Sequence, residues 1–250
     1  MVEVTIDRDI ADYHVDEAIR VLRTNLQFCG EDKKVIAVTS SIPGEGKSNV
    51  SLRLAISLAE VGKKVILIDA DLRKSVLAQK INGVVPSKGL SHYLSGQDGL
   101  TDIVNSTNIE NLYLVVAGPV PPNPAELLNE EPFAKMLEVL RSVYDYVIID
   151  TPPLGNVIDS AIIAEKCDGA LLVIASGAVS GRFVKENIKQ LKKSGCPILG
   201  AVLNKMDRNQ RGRYGKYYGK YGNKYSKYGN EYNLSEENQA RVKRSIWFYR

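Results

Sequence analysis

Ser41-Ile42-Pro43-Gly44-Glu45-Gly46-Lys47-Ser48 lies between an apolar run, residues 35–39, that reads as a strand and a segment, residues 48–61, that reads as a helix. A glycine-rich turn in that setting is a phosphate cradle. Backbone N–H groups at its small-residue positions approach phosphate oxygens, Lys47 reaches the β- and γ-phosphates, and Ser48 offers a hydroxyl to a magnesium ion at the helix N-terminus. The expected ligand is a nucleoside triphosphate. The Gly-x-x-x-x-Gly-Lys-Ser pattern is met except at its first glycine, which is Ser41, so partners elsewhere in the chain are needed to define the site.

Two further apolar runs supply them. Val65-Ile66-Leu67-Ile68 ends in Asp69-Ala70-Asp71-Leu72-Arg73, and Tyr146-Val147-Ile148-Ile149 ends in Asp150-Thr151-Pro152-Pro153. In open parallel α/β sheets the ligand lies beyond the carboxyl ends of the strands, which places these carboxylates beside a phosphate loop contributed by the first strand. An aspartate after an apolar run is, taken alone, as readily a turn or a helix cap. Three strand ends converging on one site favour a shared chemical task.

Outward from this centre, strands and helices alternate. Strands are predicted at residues 35–39, 64–68, 112–116, 146–149, 170–174 and 198–203, and helices at 15–28, 48–61, 124–141, 158–166 and 182–193. A looser stretch rich in Gly, Ser and Asn precedes residue 111. The alternation predicts a mainly parallel sheet with helices on both faces. At 250 residues and 44% apolar, the chain suffices for one large α/β domain. It has no apolar run of about 18 residues or more and no leader-like N-terminus, so a soluble, cytoplasmic chain is expected. Cys29, Cys167 and Cys196 read as reduced structural thiols, and His14 and His92 have no ligand spacing.

The first helix carries Glu17, Arg20 and Arg23 at three-residue steps along one side. In Pro119-Val120-Pro121-Pro122-Asn123-Pro124, Asn123 is a good N-cap and Pro124 suits the first helical position, but the proline pair before them has no such explanation. The net charge of +4 conceals an asymmetry: residues 208–232 hold seven basic side chains against the single acid Glu231. That stretch also holds seven of the 13 tyrosines, separated by Gly, Lys and Asn. Without an apolar partner face, these rings are displayed rather than packed, in a flexible tail. Aromatics interleaved with lysine also suit single-stranded nucleic acid.

Taken together, residues 16–232 resemble the bacterial tyrosine kinases (BY-kinases) that govern capsule and exopolysaccharide production, in the form where the cytoplasmic kinase is a separate chain from its membrane activator. The residues that carry the likeness are Ser41 to Ser48, the run Ile66 to Arg73, Asp150 with Thr151-Pro152-Pro153, the stretch Pro121 to Leu128, Glu17-x-x-Arg20-x-x-Arg23 and the tyrosine cluster. Septum-positioning and partitioning ATPases usually carry an extra lysine near the start of the phosphate loop, and Ser40-Ser41-Ile42-Pro43 has none.

The resemblance implies a single P-loop NTPase domain over residues 15–207, preceded by an N-terminal extension (1–14) and followed by a flexible tail (208–250). It implies ATP and Mg2+ as cofactors, ATP contacts from Ser41, Pro43, Gly44, Glu45, Gly46, Lys47, Ser48, Asn49 and Asn204, and metal ligation by Ser48 and Asp71. Lys47, Asp69, Asp71 and Asp150 carry catalysis, with Asp69 or Asp71 orienting the attacking phenol. The phosphoacceptors are Tyr214, Tyr217, Tyr218, Tyr221, Tyr225, Tyr228 and Tyr232, presented in trans within a ring built through Glu17, Arg20 and Arg23. The implied partners are a transmembrane activator that brings the chain to the inner face of the membrane and a cognate tyrosine phosphatase, with no direct nucleic acid. Two alternatives stand beside it. Asn204-Lys205-Met206-Asp207 matches the Asn-Lys-x-Asp signature of guanine recognition, which suits a regulatory GTPase, and the basic, aromatic tail suits a nucleic-acid-binding partitioning ATPase. Residues 235–250, ending in Ile246-Trp247-Phe248-Tyr249, read as a disordered terminus or as a contact for a membrane or partner.

Overall fold

The computed structural model describes residues 3–7, 13–155, 157–207 and 244–249. Ten strands form one sheet in the order β10-β9-β8-β2-β7-β3-β6-β5-β1-β4. Its centre is the parallel set β2 (Val35–Ser40), β3 (Val65–Asp69), β6 (Leu112–Val115), β7 (Tyr146–Asp150), β8 (Gly169–Ala175) and β9 (Ile198–Asp207). The outer strands are β1 (Glu3–Ile6), β4 (Ile81–Asn82), β5 (Asn105–Thr107) and β10 (Arg244–Tyr249).

β2, β3 and β7 are buried along their whole length, and alternate residues of the central strands enter two separate cores. Ile36, Val38, Leu67 and Ile148 meet Ile19, Leu22 and Leu26 of α1 (Tyr13–Gln27) and Val50, Leu54 and Leu58 of α2 (Lys47–Ala59). Val35, Ala37, Ile66, Ile68, Val147 and Ile149 face the other way. There they pack with α3 (Leu90–Leu94), α5 (Pro124–Asn129), α6 (Glu131–Val143), α7 (Asp159–Glu165) and α8 (Gly181–Lys193). A short α4 (Leu100–Ile103) completes the set. Continuous apolar runs are what a strand covered on both sides requires, because neither face meets water. Each fully buried Leu, Ile or Phe contributes roughly 1.5–3 kcal/mol.

The structure departs from the sequence expectations in two places. The helix predicted over 124–141 is two helices, parted at Glu130, whose backbone is extended (φ −70, ψ 163). Pro132 is the cause: it has no N–H to donate back to residue 128 and its ring crowds that carbonyl, so it is tolerated only in a first turn, where it sits. Part of the 1–14 extension joins the sheet, with β1 parallel to β5 and antiparallel to β4. Glu3-Val4-Thr5-Ile6 alternates exposed and buried, the two-residue period of a half-covered strand. Residues 244–249 form β10, antiparallel to β9. The seven tyrosines expected as phosphoacceptors lie outside the described residues. Among the described residues, no helix is long and apolar enough to cross a membrane.

Candidate functional site

At the carboxyl end of β2 the chain turns through residues 41–46 into α2. Gly44 and Gly46 take left-handed conformations (φ +80 and +92) that a side chain would strain. A Cβ on Gly46 would come within 2.2 Å of Asn204 Nδ2, whereas one on Gly44 would point into open space. The loop is braced from beneath. Glu45, 1% exposed, turns its carboxylate inward, where Oε2 accepts from Ser41 N–H (2.6 Å) and Ile42 N–H (2.9 Å) and Oε1 accepts from Ala175 N–H (3.0 Å). From above, Asn204 Nδ2 donates to the Glu45 carbonyl (2.8 Å) and Lys205 Nζ donates to the Gly44 carbonyl. Leu154 and Gly155 N–H groups, just after β7, donate to the Ser40 and Ser41 carbonyls (2.8 and 3.0 Å).

The three strand ends meet at Lys47. Its Nζ lies 3.3 Å from Asp71 Oδ2, 3.4 Å from Asp150 Oδ2 and 3.2 Å from Ser48 Oγ. Burial alone pulls the ammonium's pKa down, but the Asp150 and Asp71 charges outweigh it and the net shift is upward. Asp150 is fully buried and also accepts from Ser51 Oγ (3.1 Å). Desolvation raises its pKa, opposed by Lys47 and the Ser48 and Ser51 hydroxyls. Asp69 stands directly beside it in the β3–β7 register. Burial and then the Asp150 charge raise the Asp69 pKa, and its two oxygens are committed to Asp71 N–H (3.1 Å) and the Ser75 hydroxyl. Asp71 Oδ1 accepts from Lys74 N–H (3.0 Å). One step further, Arg73 grips the buried Asp159 through two contacts, Nε–Oδ2 at 2.8 Å and Nη2–Oδ1 at 3.1 Å, tying the loop after β3 to the first turn of α7.

Ser41, Lys47, Ser48, Asp69, Asp71, Asp150 and Asn204 thus fall in one neighbourhood. Pro43 and Gly44 are exposed at the loop's crest. Glu45 belongs to the loop through its backbone, with its side chain a brace. Asn49 instead lines a cavity of about 180 Å³ between α1 and α2, together with Asp16, Arg20 and Arg53. Ser51, Ser75, Asp159 and the inward turn of Glu45 were not foreseen. Ser51 was legible, being four residues after Lys47 and therefore on the same helix face; the others depend on chain crossings with no local signal. Of the outer trio, Glu17 and Arg20 form an exposed ion pair (3.3 Å). Arg23 points elsewhere, donating to the Ser57 carbonyl (2.8 Å) and hydroxyl (3.0 Å) of α2.

Hard oxygen donors beside a lysine, under a loop with open space above Gly44, suit a magnesium–triphosphate, because Mg2+ usually takes one or two protein oxygens and completes its shell with phosphate and water. Among the described residues no cluster of three His, Cys, Asp or Glu side chains forms a self-sufficient metal cage.

Comparison with known proteins agrees with this geometry. The model of the AAA domain family matches residues 33–195. A tyrosine-protein kinase, CpsD, from Streptococcus agalactiae is 45% identical over 204 residues, covering 81% of this chain and 89% of that protein. The crystallised kinase domain of the Escherichia coli tyrosine kinase ETK superposes with a TM-score of 0.71 at 31% identity, covering 81% of this chain and 89% of that one. The septum site-determining protein MinD from Pyrococcus horikoshii, solved with Mg-ADP, has a TM-score of 0.60 at 27% identity over 71% of this chain and 72% of its own.

Proposed function

From its place in the tyrosine-protein kinase family, to which this chain belongs, we propose that it transfers the γ-phosphoryl group of ATP to Tyr214, Tyr217, Tyr218, Tyr221, Tyr225, Tyr228 and Tyr232 of its own C-terminal segment. The observation that carries this proposal is the convergence of Lys47, Asp71 and Asp150 within 3.4 Å at three strand ends, in a chain whose remaining tyrosine-rich segment follows the adjacent strand β9. The phenol oxygen forms a bond to the γ-phosphorus as the bond to the bridging oxygen of ADP breaks, and the phenolic proton passes to a carboxylate and on to solvent.

Charge in such a transfer spreads over the phosphoryl oxygens, so placement and electrostatics supply most of the rate. Lys47 and the loop N–H groups hold the phosphates, Lys47 exchanging a carboxylate for phosphate oxygen. Ser48 Oγ and Asp71 would hold a magnesium ion, which would supply neutralisation of phosphate charge, and Asp150 holds Ser48, Ser51 and Lys47 in place. A phenol titrates near 10 and an ordinary carboxylate near 4, so proton abstraction is inefficient and alignment dominates. Both aspartates after β3 are engaged by protein groups, Asp69 by Asp71 N–H and Ser75 and Asp71 by Lys74 N–H and Lys47, and one of the two, Asp69 or Asp71, orients the phenol.

Assembly extends the proposal. Subunits form a ring through Glu17 and Arg20, one subunit's tyrosines enter a neighbour's site, and a transmembrane activator holds the ring at the inner membrane face. Each phosphotyrosine adds about −1.5 to −2 charges, so roughly three to five cancel or reverse the six-unit excess of residues 208–232. The ring then loosens until a cognate phosphatase resets it, and capsular or exopolysaccharide synthesis and export follow that cycle. Mass spectrometry of the purified chain after incubation with Mg-ATP or Mg-GTP, with and without the activator's cytoplasmic segment, tests this. Phosphotyrosine at the seven positions from ATP supports it. GTP preference points to a regulatory GTPase, and salt-sensitive DNA retention through the tail without phosphotyrosine points to a partitioning ATPase.

A further inference from the structure

Two residues near the end of β9 grip two consecutive carbonyls of the phosphate loop. Asn204 Nδ2 donates to the Glu45 carbonyl (2.8 Å) and Lys205 Nζ donates to the Gly44 carbonyl. Asn204 is itself fixed: its Oδ1 accepts from Lys205 N–H (2.8 Å) and its backbone carbonyl accepts from Ser176 N–H (2.8 Å). It faces Ala175 in the β8–β9 register, and Ala175 N–H holds the Glu45 carboxylate (3.0 Å). Two neighbouring strand ends therefore hold Glu45, one by its side chain and the other by its carbonyl. Lys205 takes a left-handed backbone (φ +58), uncommon for residues other than glycine. Strain of this kind persists where surrounding bonds fix it, here those to Asn204 and Gly44.

What this does to the loop follows from the planar peptide. In a trans unit the C=O and the N–H point in opposite directions. Holding the Gly44 carbonyl toward Lys205 turns the Glu45 N–H away from that lysine, and holding the Glu45 carbonyl toward Asn204 turns the Gly46 N–H away from that asparagine. Among the described residues neither N–H has an acceptor. Gly46 is left-handed (φ 92, ψ 20) and Lys47 opens α2. In such a succession of conformations consecutive N–H groups line one concavity and suit an anion.

We propose that Asn204 and Lys205 are positioning residues that aim the Glu45 and Gly46 N–H groups at the triphosphate, and that they do not read the base. The proposal rests on the nucleotide-binding part of the reading above and deepens it. It gives the Asn-Lys-x-Asp match another task than guanine recognition, since the oxygen and the nitrogen of the Asn204 amide are both engaged within the protein. It also gives Gly46 a second reason to be glycine: a Cβ there would meet Asn204 Nδ2 at 2.2 Å and break the clamp. Because the Lys205 donor is charged, it polarises the peptide whose carbonyl it holds and strengthens the pull of the Glu45 N–H on an anion.

A ligand without a base separates positioning from base reading. Calorimetric titrations of the full chain with magnesium tripolyphosphate, Mg-ATP and Mg-GTP should show Asn204→Ala and Lys205→Met weakening all three by one common factor, about tenfold. Lys205→Arg keeps a charged donor and should recover most of that loss. Lys205→Gly adopts the left-handed backbone freely but has no ammonium, so it should bind as weakly as Lys205→Met; binding equal to that of the unaltered chain would overturn the role of the ammonium. Lys205 is exposed, so its replacements should leave the melting temperature unchanged, and the arginine variant separates loss of the bond from any loss of fold. A loss confined to ATP and GTP, with tripolyphosphate unaffected, would show base reading and overturn the proposal, as would unchanged affinity for all three ligands. Failure of the unaltered chain to bind any of them would defeat the nucleotide reading itself.

Discussion

Asp69 and Asp150 stand side by side at the carboxyl ends of neighbouring parallel strands, 1% and 0% exposed, with the one ammonium of Lys47 close by. Two carboxylates so placed resist ionising together. Burial and the charge of Asp150 raise the Asp69 pKa, so the native state holds a proton there that the unfolded chain releases near pH 4. Stability contributed by that group falls as pH rises from about 4 through the raised native value. Asp69→Asn should accordingly raise the melting temperature, least near pH 4 and most at alkaline pH. Thermal scans of both proteins across pH check this, and a difference that does not vary with pH would contradict it.

Lys47→Met removes the cation that holds Asp71 and Asp150. Loss of one such electrostatic group costs about 10²–10³ in turnover or more, so phosphotyrosine should fall below detection by mass spectrometry. Asp150 loses its principal opposing charge and its pKa climbs further. The variant should therefore lose more stability at pH 8 than at pH 5, read by the same scans.

The inward carboxylate of Glu45 accepts three backbone N–H groups. Glu45→Gln keeps one acceptor oxygen and turns an N–H2 group toward donors, leaving at least one buried N–H unpaired at roughly 1–3 kcal/mol. Urea unfolding should show that loss. Titration with a fluorescent ATP analogue should show binding weakened at least tenfold, because the loop amides are no longer fixed. Unaltered affinity would mean that the brace does not shape the loop.

Arg73 and Asp159 hold the loop after β3 against α7. Breaking one side of a buried pair costs about 3–5 kcal/mol, and since the Arg73 side chain is 42% exposed, Arg73→Gln should cost about 2–3 kcal/mol. Adding Asp159→Asn should recover part of it. Urea unfolding of the two single variants and the double variant gives the coupling; simple additivity would show that the two side chains act independently.

Glu17→Ala removes only an exposed pair worth about 0.2–0.5 kcal/mol, so it should leave the melting temperature unchanged while reducing assembly size in sedimentation velocity. Arg20→Ala should do the same. Arg23→Ala should instead lower the melting temperature, because its guanidinium bonds to Ser57 within the same subunit. If Arg23→Ala dissolves the assembly without a thermal cost, Arg23 belongs to the interface after all.

The apolar runs of β2, β3 and β7, the glycine turn that follows the first and the aspartates that follow the others were determined by local sequence, because a strand covered on both faces must be continuously apolar and a phosphate turn must contain residues free to take positive φ. α1 was equally legible, since its stripe of Val15, Ala18, Ile19, Leu22 and Leu26 is the stripe that packs on the sheet. Tertiary structure alone decided that Glu45 turns inward to Ala175, that Arg73 reaches Asp159, that Arg23 binds Ser57 and that residues 244–249 cover β9. Each joins groups distant in sequence, across crossings whose register no periodicity encodes, and each satisfies a polar group or strand edge that exists only once the sheet has formed.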